Sequence, residues 1–160
     1  MWNISPPRRG HIRWSLQLAL TLFNMSLAPL LAAPFAIKLH VATVVPAFFL
    51  GTWQIFFSRK GTPWHRKLGY VYLGLMTVTA ITALFIHQIP AIDIVYGFGP
   101  IHIFSLVTLF GAVGALRGAW THNIKLHKRS MLGVYIGGLL IAGSFALLPG
   151  RLMHHVLFGA

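Results

Sequence analysis

Residues 65–74 read HRKLGYVYLG and residues 127–137 read HKRSMLGVYIG. The second stretch repeats the first. Gly69, Tyr72 and Gly74 recur as Gly133, Tyr135 and Gly137, at offsets of 64, 63 and 63. Each stretch opens on a histidine that follows another by 25 positions, His65 after His40 and His127 after His102, and both histidine offsets between copies are 62. One extra residue after the second histidine accounts for the drift. Repetition at a fixed period marks the structural unit that was copied, and a unit of this length holds two membrane-length helices.

The residues around the repeat set its solvent. The chain is 56% apolar and 9% charged, with a mean hydropathy of +0.73. A water-soluble domain usually has about a quarter of its residues charged. The composition therefore predicts an all-α integral membrane protein. Thirteen Lys and Arg against one acid give a net charge of +12. These cations stand in short clusters between long apolar runs, the pattern of membrane orientation and not of a nucleic-acid partner. With no cysteine there is no disulfide, thiolate metal site or covalent haem attachment. Nine histidines remain as the abundant metal-ligating side chain.

The apolar runs predict five transmembrane helices. Residues 1–13 are a basic cytoplasmic tail in which a Pro-Pro pair forbids an early helix. Residues 14–35 carry no charge over 22 positions, enough to cross about 30 Å of hydrocarbon. This run exceeds the apolar core of a signal peptide, about 7–15 residues. Residues 36–148 form the duplicated four-helix core. Its first helix runs from Ala36 to Phe57 and is bent at Pro46. The second starts with Thr62 as N-cap and Pro63 as first helical residue, and ends near His87. The third opens on Gly99-Pro100 and reaches Trp120, and the fourth spans Ile124 to Leu148. Residues 149–160 are a short outer-face tail. With the N-terminus inside, eleven Lys and Arg face the cytoplasm and only Lys38 and Arg151 face out. That bias orients the chain in a bacterial inner membrane with its C-terminus outside.

Two helices per copy give both copies the same topology, so equivalent residues share a depth. His40 and His102 are then placed near one membrane face, and His65 and His127 near the other. In an up-down four-helix bundle alternate helices are diagonal partners, so each pair faces across the core. Two imidazoles on facing helices are the means by which a b-type haem is held with no open coordination position, a site that passes electrons. The sequence thus predicts two bis-histidine haems b, one above the other, exchanging electrons with a quinone or another carrier. The glycines scattered through these helices would make room for the macrocycle. Arg66, Lys67, Lys128 and Arg129 would meet propionates or lipid headgroups. A structural reading competes for each feature: glycines also suit close helix packing, basic pairs also suit a bare interface, and a histidine can sit at headgroup level. Intramembrane ionisable residues nevertheless default to function.

Two other classes fit the same residues. One is an accessory subunit of a larger respiratory or photosynthetic membrane complex. The other is an outer-face copper or zinc site built from His40, His87 and His102, since histidine alone does not choose the metal. The sole acid, Asp93, lies in a loop, so a Ser-His-Asp triad, a carboxylate pair and a His-Glu-x-x-His site are all absent from the helices.

His40 followed by Gly51-x-x-Gln54, then HRKLGYVY, GFGPIH, His127 with Met131, and PGR at 149–151 together resemble the bacterial membrane family called domain of unknown function number 2306. The likeness covers about three quarters of the chain and implies a compact multi-helix membrane protein. The paired-histidine layout is also similar to the two-haem transmembrane b-type cytochromes, a likeness of architecture.

Overall fold

The computed structural model describes residues 27–86 and 100–158. The basic tail, residues 14–26 of the first predicted span, His87 and the Asp93 loop lie outside the described residues. Every regular element among those described is helical: α1 Ala28–Ala32, α2 Phe35–Phe56, α3 Pro63–Leu84, α4 Pro100–Trp120, α5 Ile124–Ala146 and α6 Leu152–Phe158. Four of these, α2 to α5, are long and apolar enough to cross a membrane.

Local chemistry sets the helix boundaries. The helix predicted to run to residue 35 stops at Ala32, because Pro34 is extended (φ −54°, ψ 153°) and becomes the N-cap of α2. A residue before proline is pushed out of the helical region, and Ala33 occupies that place. Pro46 sits inside α2, where its missing N–H leaves the Ala42 carbonyl without its helical donor. The end of α2 is closed by Lys60, whose Nζ donates to the carbonyls of Gln54, Ile55 and Ser58 at 2.5, 2.9 and 3.1 Å. A cation there also favours the negative end of the helix dipole. Gly61 then turns the chain at φ 82°. Thr62 caps α3, its Oγ1 accepting from the His65 amide, with Pro63 in the first helical position. The connection from α4 to α5 is shorter still. His122 takes a left-handed conformation (φ 54°), and the Asn123 Oδ1 accepts from the Leu126 amide.

Two bodies are distinguished. In Ala33–Phe145, α2 packs on α3, α3 on α4, and α4 on α5. The middle of α5, Val134–Ile141, is wound as a π-helix and touches both α2 and α3. The other body holds α1 against α6.

Polarity in the larger body is reversed relative to a soluble protein. Phe49, Phe56, Phe110 and Val113 are exposed, whereas Gln54, Thr79, Thr82, His102, Ser105 and Thr108 are buried. Lipid supplies no hydrophobic drive between helices, so their contacts rest on small residues and shared hydrogen bonds. On α4 the row Gly111, Gly114 and Gly118 meets Val134, Ser130 and the His127 backbone of α5. At Gly51 of α2 the rings of Tyr72 and Tyr135 converge from α3 and α5. Around them Ala47, Met76, Ala112, Ala115 and Leu139 complete a core with few gaps. By contrast, a Cβ on Gly74, Gly133 or Gly137 would enter open space.

Gly51→Ala places a methyl 2.6 Å from Tyr72 Cε2 and 3.0 Å from Tyr135 Cδ2, and overpacking of this kind costs about 1–3 kcal/mol. It lowers the thermal unfolding midpoint in detergent. Gly74→Ala, with nothing in its way, leaves the midpoint unchanged or raised.

Candidate functional site

On α3, His65, Tyr72 and Thr79 recur every seven residues and so share one face, about 10 Å apart along the axis. The candidate residues are arranged around this row.

His65 lies in the first turn of α3 and reaches back to the end of α2. Gln54 Nε2 donates to the His65 carbonyl at 2.9 Å, which turns Gln54 Oε1 toward the ring, where His65 Nδ1 donates to it at 3.0 Å. The Ser58 hydroxyl is also 3.0 Å from Nδ1. Gln54 is buried, so this pair of bonds closes a small polar ring inside an apolar wall.

The second copy achieves the same end differently. Leu116 stands where the repeat would place a second glutamine, 62 positions after Gln54. His127 Nδ1 instead donates to the Ala115 backbone carbonyl at 2.9 Å. Gly118 permits this approach, since a Cβ there would lie 2.5 Å from the His127 nitrogen. His65 and His127 are at the same end of the body, with His65 close enough to sense the other ring. At that end the Trp120 indole donates to Tyr70 Oη at 3.2 Å, tying α4 to α3.

His40 on α2 bonds across to α3. Its Nδ1 donates to the Thr79 carbonyl at 3.0 Å, with Thr82 Oγ1 at 3.3 Å. The Thr82 hydroxyl gives its own proton to the carbonyls of Val78 and Thr79, and so accepts from the ring. Thr79 Oγ1 donates to Thr43 Oγ1 at 2.8 Å, and Thr43 donates to the Leu39 and His40 carbonyls. His102 is buried in the first turn of α4.

These bonds fix the tautomers. A carbonyl can only accept, so in the neutral rings of His40, His65 and His127 the proton is on Nδ1 and the lone pair is on Nε2. Each of the three is held by its own helical hairpin. That posture, one nitrogen donating to a backbone or amide oxygen and the other bare, is the one metal-bound imidazoles adopt.

Between the two histidine levels lies an aromatic layer. Tyr135 donates to Thr52 Oγ1 at 2.8 Å, because the Thr52 proton already goes to the Phe48 carbonyl. The Tyr72 hydroxyl, in a residue only 1% exposed, has no hydrogen-bond partner among the described residues.

The cations sit at the His65 and His127 end and are exposed. Arg66 donates weakly to the Gly61 carbonyl at 3.4 Å, and Lys67 Nζ lies 5.8 Å from the centre of the Trp64 ring. Lys128 and Arg129 line an open cavity on α5. No group of three or more metal-ligating side chains occurs among the described residues, and His87, the third ligand of the copper or zinc alternative, is outside them.

Sequence reasoning found the histidines but not what holds them. The signal for Gln54 was its amide in an apolar run; the backbone carbonyls of Thr79 and Ala115 leave no signal at all.

A bundle of apolar helices with buried hydroxyls, amide and imidazoles defines a polytopic helical membrane protein. The chain belongs to the DUF2306 family of predicted membrane proteins, whose model matches residues 37–156. No curated protein and no solved structure matches it.

Gln54→Leu leaves the His65 Nδ1–H and carbonyl without their amide partner, a loss of about 1–3 kcal/mol. Unfolding in detergent shows that decrease, whereas Trp53→Leu, on the exposed side of the same turn, is neutral within about 0.5 kcal/mol.

Proposed function

We propose that the protein carries electrons across the membrane through two bis-histidine haems b. The inner one would be held by His65 and His127, the outer one by His40 and His102. In this reading α2 to α5 are a duplicated bundle, a helix over residues 14–35 precedes it, and the N-terminus faces the cytoplasm. The observation that carries the reading is the repeated tautomer lock, in which three of the four doubled histidines commit Nδ1 to an oxygen of their own hairpin and keep a lone pair on Nε2. Core histidines with no ligand to hold have no need of a common tautomer.

When bound, haem would supply a reversible one-electron couple, with His65, His127, His40 and His102 as the residues that would hold it. The chain's own residues do the remaining work. Thr79, Gln54 and the Ala115 carbonyl orient the rings and raise their basicity. Tyr72, Tyr135 and Met76 fill the layer between the histidine levels and exclude water there. Arg66, Lys67, Lys128 and Arg129 lie at the depth where inner propionates or headgroups would be neutralised. Quinone is the partner class that fits a donor or acceptor dissolved in the bilayer.

Protein made in haem-replete cells and purified in detergent shows a Soret band and a dithionite-reduced α band, with two haems per chain by pyridine extraction. His65→Ala and His127→Ala each lose one haem and retain the other. Gly118→Ala, which drives a methyl into the His127 backbone, weakens the inner site while leaving the outer spectrum intact. Purified wild-type protein without a Soret band refutes the proposal.

A further inference from the structure

We propose that the first turns of α5 form a binding site for an anionic phospholipid. A cavity of about 480 Å³ opens there, lined by Lys125, Lys128, Arg129 and Leu132. Three cations crowd one small volume, and no side-chain hydrogen bond joins any of them to a described residue. Two other cations at this end are engaged within the chain: Lys60 is spent on three carbonyls and Lys67 lies over Trp64. No carboxylate among the described residues neutralises the cluster, because the chain's one acid, Asp93, is not among them. The cluster also sits at the positive end of the α5 dipole, which adds to the repulsion instead of relieving it. An anion relieves both.

The walls select which anion. Lys125, Lys128, Arg129 and Leu132 follow i, i+3, i+4, i+7 spacing and share a helix face. Past Leu132 that face turns wholly apolar, with Ile136 and Leu140 exposed. Beside it a Cβ on Gly133 or Gly137 would meet nothing, and in this proposal that open flank is the channel that takes the acyl chain. A phosphate diester fits the cationic end and an acyl chain fits the channel. Nucleic acid and free phosphate use only the first. Basic pockets on transmembrane helices bind acidic lipid headgroups by this division of labour. The site does not depend on the haem reading.

The test uses the full chain in neutral detergent, with lipid binding followed by native mass spectrometry and thermal shift. Phosphatidylglycerol binds and stabilises more than phosphatidylcholine, and inorganic phosphate at equal concentration does neither. Lys128→Ala with Arg129→Ala weakens phosphatidylglycerol binding by about fivefold per cation removed. Gly137→Leu, which fills the channel without altering charge, also weakens it. Equal binding of the two lipids overturns the proposal, and so does phosphate matching the lipid. So does an equal loss in the control Arg59→Ala with Arg117→Ala, which would reveal diffuse attraction to the whole basic surface.

Discussion

A polar group that leaves water for hydrocarbon must find its partner on the chain. This constraint decides where the buried side chains of the α2–α5 body point. Thr43, Thr52, Thr77, Thr82 and Thr108 return their protons to carbonyls three or four residues back on their own helices. The imidazoles cannot do that and bridge to the neighbouring helix. His40 joins α2 to α3, His65 joins α3 back to α2, and His127 joins α5 to α4. Each bond has two effects: it closes a hairpin, and it settles which ring nitrogen keeps its lone pair. Stability and chemical poise therefore come from the same contacts.

The packing follows from the same solvent. Dispersion between closely spaced helices replaces the burial that would drive a soluble core together. Glycines on α4 bring the α5 backbone close enough for His127 to reach a carbonyl on its neighbour. Gly51 does the equivalent for α2, admitting two tyrosine rings where a larger residue would hold α3 and α5 apart. Large apolar side chains are left for the outside.

Much of this was legible in the residues. Thr62-Pro63 announced the start of α3, and the doubled spacing singled out His65 and His127, which share one end of the body. The family likeness, carried by HRKLGYVY and the Gly51-x-x-Gln54 element, holds over three quarters of the chain. What stayed hidden was what depends on neighbours in space. Of the glycines read as room for a cofactor or for packing, Gly51, Gly111, Gly114 and Gly138 are packed against by other helices, whereas Gly74, Gly133 and Gly137 face open space; composition treats them alike. The predicted helix to residue 35 broke at Pro34, a local signal that the apolar run outweighed. Bonds from His40 and His127 to main-chain oxygens have no residue type to betray them.

The π-wound stretch of α5, Val134–Ile141, has no counterpart among the described residues of α2, α3 or α4. It gives α5 a mechanical property that its three neighbours lack. Rewinding Val134–Ile141 by a single residue would swivel the segment beyond it by about 100° about the helix axis, while Asn123 and His127 stayed anchored. One end of this helix is pinned, and its π-wound middle stands between that anchor and the last turn.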